Sequence, residues 1–128
     1  MERPLIIVLN ADMDFLAMIR EFLCDEGYEV LIVQENQSAF EVIGERRPRL
    51  VMIELLITNP EAGLMVLNKM RLHPETTHIP VIIATTTTQL IRDNEAHLRS
   101  KGCDFLAKPF DLEELLTIVG KYVLPIQH

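Results

Sequence analysis

The stretch LIIVLNADMDFLAMIREFLCDEGYEVLIV, Leu5 to Val33, decides the fold. It opens on a strand-length apolar run, Leu5 to Leu9, made of Leu, Ile and Val. An unbroken run of this kind suits a strand buried on both faces of a parallel sheet. The period then changes. Phe15, Met18, Ile19, Phe22 and Leu23 recur at helical spacing as one apolar stripe, and Gly27 stands where a helix C-cap belongs. A second apolar run, Val30 to Val33, follows. The order strand, helix, strand is one β-α-β unit.

The same alternation continues outward from it. Leu50 to Ile53 and Val81 to Ala84 are further strand-like runs, and a weaker one, Phe105 to Ala107, precedes Lys108 and Pro109. Between them Ala39, Phe40 and Ile43 predict a short helix ended before Pro48. Leu64, Leu67 and Met70 predict a third helix closed by His73-Pro74, and Leu90 to Lys101 a fourth with Gly102 past its end. Leu112, Leu115, Leu116 and Val119 mark the last, with Asp111 as N-cap and Glu114 three residues on, a capping-box pattern. Five β-α units with right-handed crossovers make a doubly wound α/β sheet carrying helices on both faces. No linker or internal repeat divides residues 1–128, which read as a single domain.

Bulk properties narrow the function classes. A formal net charge of −7 argues against a nucleic-acid surface, which needs clustered Lys and Arg. No apolar run reaches membrane-spanning length, and MERPLIIVLNAD is too short in apolar content for a secretory leader. The expected location is the cytoplasm. Cys24 and Cys103 lack CxxC spacing and read as small hydrophobes; the four histidines lack ligand spacing, so no zinc site is expected.

In a doubly wound sheet chemistry belongs at the carboxyl ends of the strands. Those ends carry Asn10-Ala11-Asp12, Glu54, Thr85-Thr86 and Lys108-Pro109. A carboxylate, a hydroxyl and an ammonium from three strands would converge there. Two readings stand side by side: a chemical site, or a polar cluster in which Glu54 supplies the counter-charge that Lys108 needs.

Four segments carry a family resemblance. They are GCDFLAKPF (Gly102 to Phe110), HIPVIIATT (His78 to Thr86), ERRPRLVMIELL (Glu45 to Leu56) and FLCDEGYEV (Phe22 to Val30). In this order, over nearly the whole chain, the sequence resembles a response-regulator receiver domain of two-component signalling. The resemblance implies a flavodoxin-like five-stranded sheet of order 2-1-3-4-5 with five helices. It also implies a mechanism in which an acidic pair after strand one and an aspartate ending strand three bind Mg²⁺. That aspartate accepts a phosphoryl group, whose oxygens meet a lysine after strand five and a hydroxyl after strand four. Lys108 falls on the lysine, Thr85 on the hydroxyl, Phe105 on the switch aromatic and Pro109 on the family's cis proline.

The remaining positions depart from the pattern. Asn10 and Ala11 occupy the places of the acidic pair, and Glu54 that of the phosphoacceptor. Ala11 has no oxygen to offer, and the neutral amide of Asn10 is a weak ligand for a hard cation. Glu54 is one methylene longer than aspartate, and a misplacement of roughly 1 Å costs on the order of 100-fold in an in-line attack. The expectation is a degenerate, pseudo-receiver pocket of Asn10, Ala11, Asp12, Glu54, Thr85 and Lys108, with no catalytic residue, no cofactor, and weak or no Mg²⁺ binding. Asp12 with Glu54 forms the alternative, an atypical Mg²⁺-dependent phosphoacceptor. Glu54 paired with Lys108 could hold either an activated-like or an inactive-like state, and the sequence leaves both open. The loop Ile57 to Gly63 is one residue longer than the family's, and Thr85 to Thr88 crowds hydroxyls beside the pocket.

The chain is expected to act through a protein partner, a histidine kinase, phosphotransfer protein or effector, and not as an enzyme. Met13, Leu16 and Ala17 lie off the inward stripe of the first helix and form a candidate partner surface. Arg92, Arg99, Lys101 and Lys121 lie on the family's usual output face. Oligomeric state, homodimer included, stays open. A flavodoxin-like cofactor enzyme is disfavoured because the loop NADMDF has neither glycines nor a hydroxyl-rich phosphate cradle.

Overall fold

The computed structural model describes residues 3–9, 13–33, 39–55, 60–86 and 88–124, with the side chains of residues 13–16, 60 and 88 outside that description. Ten elements alternate: β1 (Leu5–Leu9), α1 (Met13–Asp25), β2 (Glu29–Val33), α2 (Ala39–Arg46), β3 (Leu50–Glu54), α3 (Pro60–Leu72), β4 (Val81–Thr85), α4 (Thr88–Ser100), β5 (Cys103–Ala107) and α5 (Leu112–Gly120). The strands form one parallel sheet of order β2-β1-β3-β4-β5, as expected.

Why the strands read as continuous apolar runs is visible in their packing. Ile6, Val8, Leu50, Met52, Ile82 and Ala84 face a core shared with Ile19 and Leu23 of α1 and Leu115 and Val119 of α5. Their strand neighbours Ile7, Leu9, Val51, Ile53, Val81 and Ile83 face the other way, onto Ile43, Leu67, Met70 and Leu98 of α2, α3 and α4. Side chains alternate faces along a strand, and here both faces are covered. β3 and β4, in the middle, are buried at every position.

Local stops match the sequence signals. Gly27 takes φ +100°, and the pair of bonds Tyr28 N–H to Leu23 O (3.0 Å) and Gly27 N–H to Cys24 O (3.1 Å) is a Schellman closure of α1. The Tyr28 hydroxyl then donates to Val123 O at 2.7 Å, tying the start of β2 to the backbone beyond α5. Asp111 caps α5 through Oδ1, which accepts the Glu114 N–H at 2.8 Å.

Three details differ from the sequence reading. Met18, placed on the inward stripe, is 39% exposed; at about 100° per residue it sits roughly a third of a turn from the direction shared by Ile19 and Leu23. Leu112, assigned to the apolar stripe of α5, is likewise exposed: it is the first residue of that helix, while Leu115 and Val119 further along enter the core. β5 starts at Cys103 rather than Phe105: Asp104 breaks the apolar run yet pairs in register with Ile82. Cys103 is buried, and burial pushes its thiol up to about 11; Cys24 is half-buried and also free.

Candidate functional site

Parallel registry aligns the ends of the three central strands. Glu54 is the last residue of β3, opposite Ala84, and Thr85 the last of β4, opposite Ala107. Lys108 continues β5, its N–H donating to Thr85 O at 2.9 Å, and the Lys108–Pro109 peptide is cis. Three polar residues distant in the chain are thereby delivered to one spot by backbone pairing alone.

The Lys108 ammonium donates to Glu54 Oε2, and the two side chains are only 11% and 6% exposed. This is a buried, hydrogen-bonded ion pair rather than a surface contact. Thr85 is fully buried, and its hydroxyl donates to Leu55 O at 3.0 Å; Leu55 N–H in turn donates to Ala84 O at 2.9 Å. The carbonyl one residue past Glu54 therefore holds the hydroxyl. Thr86 is exposed beside it.

Behind the pair, α3 comes very close to β3. A Cβ on Gly63 would stand 2.7 Å from Ile53 Cγ2 and 2.9 Å from Leu55 Cδ2. Glycine there lets the first turn of α3 rest on the strand that carries Glu54.

Phe105 is half-buried on the α2-α3-α4 face, with the Arg99 guanidinium carbon 5.1 Å from its ring centroid, a cation–π distance. Arg99 also bonds Glu95 at 2.9 Å. On the other side of the strand Asp104 accepts from Lys121 Nζ and the Tyr122 hydroxyl, each at 2.9 Å, and from Phe105 N–H at 2.8 Å. Burial acts to raise the Asp104 pKa, but these donors outweigh it and hold the carboxyl below its usual value. The sequence reading placed Lys121 and Arg99 on an output face without foreseeing their partners, Asp104 and Phe105.

Of the predicted pocket residues, the structure brings Glu54, Thr85 and Lys108 together, with Pro109 adjoining and Phe105 on the same strand as Lys108. Asn10, Ala11 and Asp12 lie outside the described residues, as do the side chains of Met13 and Leu16 and most of the loop after β3. Ala17 is exposed on α1, and Met18 beside it. Among the described residues no three His, Cys, Asp or Glu gather as a metal-holding group, and Lys108 already sits on the Glu54 carboxylate. A hard divalent cation prefers several oxygen ligands, and of the described residues Glu54 and the Leu55 carbonyl do not fit that need.

A model of the response regulator receiver domain matches residues 6–120. The chain belongs to this family. Among curated relatives this receiver domain is 28% identical over 122 residues to the sporulation initiation phosphotransferase F of Bacillus subtilis, covering 95% of the chain and 94% of that protein. It is 29% identical over 111 residues to the response regulator MprA of Mycolicibacterium vanbaalenii, covering 87% of the chain and 46% of that protein. The chain thus spans about half the length of some curated relatives and nearly the full length of others. In fold it superposes on the chemotaxis response regulator CheY4 of Vibrio cholerae with a TM-score of 0.81 at 19% identity, covering 95% of this chain and all of that one. Among the described residues no helix is long and apolar enough to cross a membrane.

Proposed function

We propose that this receiver domain signals without being phosphorylated, as a protein-binding module with no enzymatic activity of its own. One observation carries the reading. The ammonium that the family resemblance assigns to phosphoryl oxygens is closed onto Glu54 in a buried ion pair. An incoming phosphoryl group would have to break that pair, attack would fall to a carboxylate already bound by a cation, and the Thr85 hydroxyl would have to leave the Leu55 carbonyl. Asn10 and Ala11, neither able to act as a carboxylate ligand, support the same conclusion.

The partner would be a histidine kinase, a phosphotransfer protein or an effector. The exposed pair Ala17 and Met18 on α1 is the surface offered to it. Substituting Met18 with Glu should then weaken binding while leaving the fold intact, because Met18 belongs to neither core.

A second reading keeps phosphoryl transfer, with Glu54 as acceptor and Asp12 helping to hold Mg²⁺. The near full-length match to a protein named a phosphotransferase favours it, as does the retained convergence of Thr85 and Lys108. Two-dimensional amide NMR separates the two. On adding Mg²⁺ to millimolar levels and then acetyl phosphate, the expected result is no saturable shift at Glu54, Thr85 or Lys108. Saturable shifts there, spreading to Phe105, would establish the second reading and remove the first.

A further inference from the structure

A second polar site lies at the opposite end of the sheet. It is a groove of about 690 Å³ whose walls include Arg71, Thr77, His78, Ser100, Lys101 and Tyr122. Arg71 ends α3, Thr77 and His78 lie in the segment before β4, Ser100 and Lys101 form the corner between α4 and β5, and Tyr122 follows α5. A five-residue strand separates this groove from Lys108, a distance of roughly 17 Å.

Its charges are arranged unlike those of the Glu54 site. The Arg71 Nε donates to Lys101 O at 2.6 Å, and Nη1 to Ile79 O at 2.8 Å and Thr77 O at 3.1 Å. Carbonyls fix a guanidinium in place but do not cancel its charge. Among the described residues the ion pairs are Arg46–Glu29, Arg99–Glu95, Lys108–Glu54 and Lys121–Asp104, so no acid is paired with Arg71, His78 or Lys101. Burial lowers the Arg71 pKa with no carboxylate to oppose it. Asp104, the acid near Tyr122, is already engaged by Lys121, the Tyr122 hydroxyl and the Phe105 amide. The bond from its hydroxyl to Asp104 anchors the Tyr122 ring, which remains 39% exposed.

A chain of net charge −7 has acids to spare for Arg71 and Lys101, yet none is paired with them among the described residues. The groove is shallow and open to solvent, so a ligand there would be held by its charges rather than by enclosure. The Arg71 guanidinium, fixed by its carbonyls, and the Lys101 ammonium suit phosphate oxygens, to which charge-assisted bonds are strong. We propose that this groove binds a phosphorylated small molecule of nucleotide size, its phosphate held by Arg71, Lys101 and His78 and its body against the Tyr122 ring. The proposal stands apart from the phosphorylation-independent reading, since it uses none of the residues around Glu54.

The test is an amide NMR titration of the full chain with inorganic pyrophosphate, adenosine monophosphate and adenosine, at about 0.15 M salt so that loose surface attraction is screened. Both phosphate compounds should give saturable shifts at Thr77, His78, Lys101 and Gly102, and adenosine none. A double variant, His78→Ala with Lys101→Ala, should weaken binding by about tenfold or more. Neither side chain makes a hydrogen bond among the described residues, so the variant should fold; Arg71 is left alone because its guanidinium carries three carbonyls. Failure of both phosphate compounds to saturate, adenosine binding as tightly as its monophosphate, or affinity unchanged in the double variant would each overturn the proposal and leave only a solvated basic patch.

Discussion

At the carboxyl end of the sheet Lys108 and Glu54 neutralise one another out of water, whereas at the amino end Arg71, His78 and Lys101 share a groove with no acid on them. The topology accounts for the contrast. Carboxyl strand ends deliver side chains inward from β3, β4 and β5 into a narrow space, where a charge must be paired to be tolerated. The amino strand ends are reached instead from the ends of α3 and α4, and helix C-termini favour cations that can stay in contact with solvent. One fold therefore provides a closed electrostatic site and an open one. In this chain the closed site is the one its family uses for phosphoryl chemistry.

The contrast breaks most visibly at Lys108. Lys108→Met strands a buried carboxylate and should cost about 3–5 kcal/mol in urea unfolding. A cost under about 1 kcal/mol would mean that the pair behaves as a solvent-exposed one, and the closed end would not be closed. Glu54→Gln combined with Lys108→Met should recover a large part of the loss, since no charge is then left unpaired.

Gly63 probes the same end through packing. Gly63→Ala drives a methyl into Ile53 and Leu55 and should cost about 1–3 kcal/mol. The identical change at Gly44, in α2 with nothing within 4 Å of the new Cβ, should stabilise by about 0.5–1 kcal/mol. Equal effects at the two positions would deny that α3 is pressed onto the strand bearing Glu54.

The smallest effect belongs to Asp104, whose carboxylate accepts from Lys121 and Tyr122. Its folded pKa lies below the ordinary 3.8, so the unfolded chain takes up the proton first as pH falls. The stabilisation is complete above 3.8 and is lost as pH drops through the folded value. Asp104→Asn should therefore lower stability at neutral pH, where the carboxylate is charged, and flatten the acid limb, so that the two curves converge below the folded value. An unaltered acid limb would show that Lys121 and Tyr122 do not hold the carboxylate in solution.

Much of this was legible in the residues, for identifiable reasons. Apolar runs such as Val81 to Ala84 named their strands because both faces of the sheet are covered, and the alternation of β and α then brought Glu54 toward Lys108. The reading that Glu54 serves as the counter-charge needed only the rule that buried cations are paired. What escaped was set by geometry across elements. Met18 and Leu112 group with the apolar stripes of their helices but are exposed, because an apolar residue type does not by itself fix which side of a helix is covered. The reach of Arg71 to three carbonyls depends on how the loop before β4 folds back, and the bond from Thr85 to the Leu55 carbonyl on a strand pairing one residue beyond β3. The expected roles of Asn10, Ala11 and Asp12 rest on sequence alone.

The one-layer sheet has a final consequence. Ile19 and Leu23 of α1 share a core with α5, while Phe105 packs with α4 on the far side. Among the described residues α1 and Phe105 pack into separate cores, with the hydrogen-bonded strands of the sheet between them. The sheet thus sets the face proposed for docking and the aromatic that the family resemblance names as the switch in two separate side-chain layers.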